Sequence, residues 1–373
     1  MNVFYEQMFD VFRTSNSCFY AYYGVKKTYA DAFELMQKVN SVLNRHSKKK
    51  VVLYSEKSFE SYCCIFAIML SGNTWCPLSV TQPENRTLDI LKDLDADIFI
   101  TDSKLTGRIS EYLVDHRTVI ENIADIQEKQ PTPFALGNIM ADDIAYIMFT
   151  SGSTGTPKGV PMTHANYIPF INNALKILPI EKNETFTDYH EFSFDLSVFY
   201  LFCAVMTESA FSPALNLKDK MFPLNHAIEN KVTVWSSVPS SIARVKQLRP
   251  NDKHETHIKI MFLCGEPFRL DILDYCYKNL NLKNVYNFYG LTETGVENFY
   301  HKCKPTDLVR FESKGFVPIG KPLPGNEFML GDDNELFISG VQITPGYLGG
   351  RDKHRFLLVD GKDWFRSGDI VEQ

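Results

Sequence analysis

The chain has 373 residues, 44% of them hydrophobic, enough to bury more than one core and to divide into subdomains. Its formal net charge of −6 gives no electrostatic reason to expect a nucleic-acid partner. Eight scattered cysteines, several inside apolar runs (Cys63-Cys64, Cys203, Cys264), argue for reduced core thiols and a cytoplasmic setting rather than a disulfide framework, and no CxxC or Cys/His cluster has zinc-site spacing.

The N-terminus lacks the basic and apolar regions of a signal peptide. The longest apolar run, near Cys63 to Leu70, is too short to span a bilayer, so no membrane insertion is expected. Apolar residues returning every three or four positions predict a helix from Thr28 to Leu43. Lys48-Lys49-Lys50 reads as a solvated turn before a strand at Val51–Tyr54. A helix over Ser58–Leu70 follows, then a turn and strand over Gly72–Leu78, a helix over Glu84–Leu94 and a strand at Asp97–Ile100. This alternation predicts an α/β fold with a parallel, doubly wound sheet. Pro131-Thr132-Pro133 reads as a linker. Beyond it a buried strand, Ala145–Phe149, leads through a polar loop to a helix entered near Thr163. Strands at Thr233–Ser236, Ile258–Leu263 and Val285–Asn287, with helices at Pro239–Leu248 and Arg269–Leu280, predict a second α/β unit. From Val317 onward, prolines and Gly325 punctuate short strands such as Glu335–Ile338. The expected division is 1–190, 191–305 and 306–373, the last β-rich.

The loop between Phe149 and Val160 carries the first chemical signal. It reads Thr150-Ser151-Gly152-Ser153-Thr154-Gly155-Thr156-Pro157-Lys158-Gly159. Its glycines let the backbone turn so that successive N–H groups point at one anion, and its hydroxyls and Lys158 add donors and charge. A triphosphate fits such a loop. It is not a Walker A sequence, because Pro157 and Gly159 flank the lysine. The plainer alternative is a polar strand–helix turn.

Three later stretches weigh against that alternative: Asn287-Phe288-Tyr289-Gly290-Leu291-Thr292-Glu293, then Glu335–Gly340 with Gly346-Tyr347-Leu348, then Trp364-Phe365-Arg366-Ser367-Gly368-Asp369. With the loop, and in this order, they resemble the adenylate-forming superfamily of acyl-CoA synthetases, luciferases and peptide-synthetase adenylation domains. The resemblance implies two doubly wound sheet subdomains plus a small β-barrel. It assigns ATP to the loop and Lys158, the α-phosphate to Thr292, Mg²⁺ to Glu293, adenine to Tyr289 and Asn287, and ribose to Asp369. It extends the nucleotide site to Gly265, Glu266, Phe288 and Gly290. Family members continue into a C-terminal lid that supplies a catalytic lysine. Here the sequence stops four residues after Asp369 with no matching lysine, so the expectation is a large domain whose lid is absent.

Phe192-Ser193-Phe194-Asp195-Leu196-Ser197 resembles the FDxS signature of amino-acid-activating members, whose Asp pairs with the substrate ammonium. Physically, an Asp among Phe192, Phe194, Phe199 and Leu201 needs a partner, because an uncompensated buried carboxylate is costly. Capping a helix that starts near Leu196 is the alternative role. The resemblance sets Asp195, Leu196, Phe199, Ser240, Phe262, Cys264, Phe288, Val296 and Glu297 around the substrate. Three phenylalanines and a glutamate crowd one pocket, which favours glycine and then alanine; Glu297 recognising a basic side chain is the opposing reading. The expected function is therefore ATP-dependent activation of a small amino acid as aminoacyl-AMP. The product would pass to phosphopantetheine on an acyl or peptidyl carrier protein, for cell-envelope or lipid A modification or peptide synthesis. An acyl- or aryl-CoA ligase and a non-catalytic nucleotide-binding module are the alternatives.

Overall fold

The computed structural model describes residues 2–44, 46–151 and 155–372, so the loop residues Gly152, Ser153 and Thr154 lie outside the described residues. The α/β expectation holds, with three sheets. The first has six strands in the order Val119–Asn122, Ile98–Thr101, Lys50–Tyr54, Thr74–Leu78, Ile144–Ser151 and Pro157–Thr163. Its interior strands are parallel and apolar at almost every position, because helices cover both faces.

The second sheet has nine strands. Its parallel centre runs Ala210–Pro213, Thr185–Asp188, Val234–Ser237, Ile260–Leu263 and Asn284–Tyr289. Phe299–Lys302 and Lys321–Pro322 extend one edge in antiparallel fashion. The other edge is an N-terminal hairpin, Cys18–Tyr22 with Val25–Thr28, and sheet membership therefore crosses residue 190. The third sheet is antiparallel and four-stranded, in the order Asn326–Leu330, Glu335–Gly340, Lys362–Ile370 and Phe356–Val359. Asn166 ties it to the rest by donating to the carbonyls of Val341 (2.7 Å) and Ile343 (2.9 Å).

The two large sheets share a helical layer. In Phe59–Leu70, every residue from Ser61 to Leu70 is buried, and in Leu196–Met206 every residue from Leu196 to Val205 is. Helices apolar all round belong between sheets rather than at a surface. Tyr62 stacks on Phe211 at 4.7 Å and Phe66 meets Phe19 edge-on, which joins the Phe59–Leu70 helix to the second sheet.

One local reading changes. The loop after Phe149 does not turn straight into a helix. Pro157–Thr163 returns antiparallel to Ile144–Ser151, with Thr150 opposite Lys158, so both flanks of the loop are paired strands. Pro157 and Pro161 hide this strand from a propensity reading, yet an edge strand tolerates both. The helix then starts at His164, and the Thr163 N–H donates to Asn166 Oδ1 at 3.0 Å. Among the described residues no helix is long and apolar enough to cross a membrane.

The loops after the parallel strands gather at one end, where open α/β sheets place their ligands. A buried ion pair braces them. Lys57 Nζ, beyond the strand Lys50–Tyr54, lies 2.7 Å from Oδ1 of Asp188, which ends the strand Thr185–Asp188. Tyr200 donates to the same carboxylate at 2.5 Å, as does Tyr62. The brace links both sheets just ahead of the segment that carries Asp195. Replacing Lys57 by Met leaves the Asp188 charge buried without its cation, so Lys57→Met lowers unfolding free energy by about 3 kcal/mol in urea titrations.

Candidate active site

A cavity of about 470 Å³ opens at that end, walled by Pro77, Leu78, Ser79 and Thr81 on one side and by Phe149, Thr150, Ser193, Phe194, Asp195 and Thr292 on the other. The hairpin arm of the phosphate loop and the predicted substrate acid thus face one space. Asp195 occupies the N-cap position of Leu196–Met206, but its side chain makes no capping bond. Although part of it reaches the cavity, the surrounding protein desolvates it and pushes its carboxyl up to about 6. The Thr292 side chain pulls it down and the charge of Glu293 pushes it further up.

Glu293 is 7% exposed, and the Tyr347 hydroxyl donates to its Oε1 at 2.6 Å. Glu297 is buried, its acidity suppressed well above the usual carboxylate range by burial and by Asp195; Cys264 works against this, and Oε2 of Glu297 has no partner. Among the described residues none of these three acids is ion-paired. Asp195 and Glu293 flank Thr292 without a protein cation, a setting that suits a cationic group and a metal ion. A Mg²⁺ ion commonly takes one or two protein carboxylates and completes its shell with phosphate oxygens and water. Glu293 fits that role, and no cluster of three or more protein ligands exists among the described residues to hold a metal without phosphate.

The turn that carries Thr292 and Glu293 is tightly supported. Gly290 sits where a Cβ would lie 2.3 Å from the Val296 carbonyl oxygen, so the chain folds back on itself only with glycine there. Val296 adopts φ 75°, a strained conformation for a β-branched residue, and thereby turns Glu297 inward. Gln342 Nε2 donates to the Glu297 (2.8 Å) and Gly295 (3.0 Å) carbonyls, and Asn326 donates to Gln342 Oε1 at 2.7 Å. Sequence reasoning missed this buried amide support, since isolated Asn and Gln carry no motif. It also passed over Tyr347, although the motif Gly346-Tyr347-Leu348 contains it.

Asn287 is 3% exposed and donates to the Pro318 carbonyl at 2.9 Å, which leaves its buried Oδ1 without a partner. A free acceptor there matches an exocyclic amine such as that of adenine. The Tyr289 hydroxyl donates to Asp369 Oδ2 at 2.6 Å and joins two residues that are 80 apart in sequence. Phe199, Phe262 and Phe288 pack together, with Phe199 stacked on Phe262 at 4.3 Å and edge-on to Phe288 at 5.0 Å. These three, with Leu196, Cys264 and Val296, are buried.

Ser240 stands apart from that group. It is exposed and lines a separate, larger hollow with Tyr189 and Arg244, and its N–H and hydroxyl both bond the carboxylate of Glu266 at 2.9 and 3.0 Å. Glu266 therefore holds the first turn of Pro239–Leu248, while Gly265 forms the turn beside it with φ 76°. Gly155 is exposed at the edge of the undescribed loop tip, and Lys158 is 8% exposed.

A family model described as AMP-binding enzyme matches residues 11–348. An L-proline–[L-prolyl-carrier protein] ligase of Streptomyces coelicolor is 28% identical over 352 residues, covering 82% of this chain and 63% of the ligase. A D-alanine–D-alanyl carrier protein ligase of Lactococcus lactis is 26% identical over 354 residues, covering 92% and 70%. The chain thus spans under two thirds of the proline ligase, and only 28% of the Streptomyces viridochromogenes peptide synthetase PhsB that it also matches. The Vibrio cholerae adenylation domain AlmE, solved with glycyl-adenosine-5'-phosphate, has a TM-score of 0.83 at 21% identity, over 98% of this chain and 76% of AlmE. The N-terminal subdomain of Klebsiella oxytoca NpsA has a TM-score of 0.80 at 20% identity, over 98% and 95%.

The Asp195 environment makes a pH prediction. Its carboxyl holds a proton up to about 6 in the native state but only to its ordinary value of 3.8 when unfolded, so ionising it disfavours folding. The cost grows between those two values and is complete above them. Asp195→Asn removes it. The variant is therefore more stable than the unaltered chain by about 1–2 kcal/mol at pH 7.5, with the difference fading toward pH 4, as read from denaturant unfolding across pH.

Proposed function

Because the chain belongs to the AMP-binding enzyme family, we propose that it activates a small amino acid as its aminoacyl-adenylate and passes it to the phosphopantetheine thiol of a carrier protein. Glycine is the favoured substrate and alanine the next. The observation that carries this reading is a desolvated carboxylate, Asp195, without a cation of its own and lining one cavity with Thr150 and Thr292. An α-ammonium supplies that cation. The substrate carboxylate is then held beside the nucleotide phosphates, which is the positioning this reaction needs.

In the proposed first step a carboxylate oxygen bonds to the α-phosphorus of ATP, and the bond to the bridging oxygen breaks. Pyrophosphate leaves with the electron pair. Charge builds on phosphate oxygens, and preorganised donors that meet it lower the barrier. Lys158 and the loop from Thr150 to Gly155 hold the outer phosphates. Thr292 meets the α-phosphate, Asn287 accepts from the adenine amine, Tyr289 stacks on the base and Asp369 accepts from ribose. Glu293 would hold Mg²⁺, which would supply further positive charge to the phosphates. In the second step the thiolate attacks the acyl carbonyl and AMP departs.

The packing of the aromatics supports glycine. Phe199 follows Asp195 by one helical turn and packs with Phe262 and Phe288, all at most 2% exposed, so a large side chain directed there would have to displace one of them. The relatives named for proline and D-alanine, and the glycyl adenylate in AlmE, also lie at the small end of the amino-acid range. One observation favours a second reading. The unpartnered Oε2 of Glu297 suits an amino acid whose side chain brings a donor, such as the terminal amine of ornithine or lysine.

A thermal-shift panel of aminoacyl-sulfamoyl adenosines separates these readings. The glycyl analogue should raise Tm most, by several degrees, since about 2.7 kcal/mol of stabilisation accrues at a ligand concentration of 100 Kd. Phenylalanyl and amine-free analogues should do no better than AMP. A largest shift from the ornithyl analogue selects the second reading, and one from an amine-free acyl analogue contradicts both. In Asp195→Ala the advantage of the glycyl analogue over AMP disappears, while the AMP shift remains.

A further inference from the structure

The segment from Tyr347 to Arg355 lies as a strap across the hairpin that bears the phosphate loop. Leu348 packs on the backbone of Gly159, where a Cβ would come within 2.6 Å of Leu348 Cδ1. Arg351 donates to the Pro157 carbonyl at 2.9 Å and is ion-paired with Asp93. The ammonium of Lys158 lies 5.6 Å from the Tyr347 ring centroid and forms an ion pair with Asp352. The Lys158 side chain in this pair is 10% exposed and that of Asp352 25%.

Asp352 is not a freely moving surface acid. It has φ 46° and ψ 38°, left-handed values that Asp tolerates better than most residues, and it starts the short turn Lys353–Arg355. The strap is fastened on either side of it, by Arg351 to the hairpin and by Arg355, which donates to the carbonyls of Arg366 and Ser367, both at 2.7 Å. Hydrogen bonding from Lys158 holds the Asp352 carboxyl below the usual carboxylate range, so it is ionised at neutral pH. One carboxylate is thus held in place against the one lysine of the phosphate loop.

An ammonium matched to one carboxylate has to give that contact up, at least in part, to engage a phosphate. We propose that Asp352 is a built-in counter-anion that holds Lys158 until the β- and γ-phosphates of a nucleotide displace it. It thereby sets affinity for triphosphate and pyrophosphate without setting affinity for the monophosphate. The inference rests on the nucleotide reading above. It makes Asp352 a positioning residue: it acts through Lys158 and needs no contact with the reacting atoms. After adenylate formation the carboxylate reclaims the lysine, which favours release of pyrophosphate over its return.

Calorimetry on the whole 373-residue chain, with magnesium present throughout, tests this with ATP, pyrophosphate and AMP. Asp352→Asn keeps the shape and tolerates the left-handed backbone, and Asp352→Gly removes the charge while relaxing that backbone. Both variants should bind ATP and pyrophosphate about 3- to 5-fold more tightly, the worth of a partly exposed ion pair, with AMP affinity unchanged. ATP and pyrophosphate binding that is unchanged or weaker, or an equal gain for AMP, overturns the proposal. If neither variant folds, the ammonium resonance of Lys158 in the unaltered chain decides the matter. It should shift on adding pyrophosphate and stay in place on adding AMP, and any other response overturns the proposal. A chain that binds neither ATP nor AMP contradicts the nucleotide reading itself. Retained binding with an unmoved ATP-to-AMP ratio contradicts only the role of Asp352.

Discussion

A carboxyl group at the head of a buried, largely apolar helix is costly to ionise without a cation beside it, and the site is built around that constraint. The Leu196–Met206 helix is buried from Leu196 to Val205 because it fills the layer between the two large sheets. Its first turn therefore opens only toward the cavity, and Asp195 sits at that opening. Burial pushes the carboxyl up to about 6, which means that it ionises near neutrality at an energetic cost the protein itself does not recover. A bound ammonium recovers it. Affinity for an amine and the destabilisation of the empty site are two sides of one arrangement.

The rest of the architecture fixes polar groups around that end of the sheets. Parallel strands of both sheets end there, so residues far apart in sequence meet: Lys57 with Asp188, Tyr289 with Asp369, and Tyr347 with Glu293. The third sheet and the strap that precedes its Phe356–Val359 strand close over the hairpin and supply a partner for Lys158 and one for Glu293. In the absence of ligand the cationic and metal-facing groups are thus already held by neutral or anionic protein groups. Asp195 has only the neutral Thr292 side chain to set against its burial, and no cation.

Much of this was legible in the sequence. Runs such as Val51–Tyr54 and Ile260–Leu263 lie in parallel strands covered on both faces, so hydrophobicity alone marks them. The cavity brings together Thr150, Asp195 and Thr292, which come from three separate motifs. The misses have physical causes. Pro157–Thr163 reads as a loop because two prolines mask an edge strand. The strand Cys18–Tyr22 pairs locally with Val25–Thr28, but it joins the sheet through Ala210–Pro213, which begins nearly two hundred residues later, and no local pattern reports that pairing. Ser240, expected at the pocket by resemblance, donates to Glu266 and lines a separate hollow, a placement only the tertiary structure shows. The Asn326 and Gln342 support and the Lys158–Asp352 pair are tertiary, and single polar residues give no periodic signal.

The central claim is that Asp195 surrenders its proton to accept an ammonium. Calorimetry at pH 6 in two buffers of different ionisation enthalpy measures that proton directly. Binding of glycyl-sulfamoyl adenosine should release about half a proton, because Asp195 is near half-protonated when free and ionised when paired. The amine-free acetyl analogue should release none. Equal proton release by the two ligands, or none by either, would contradict the account.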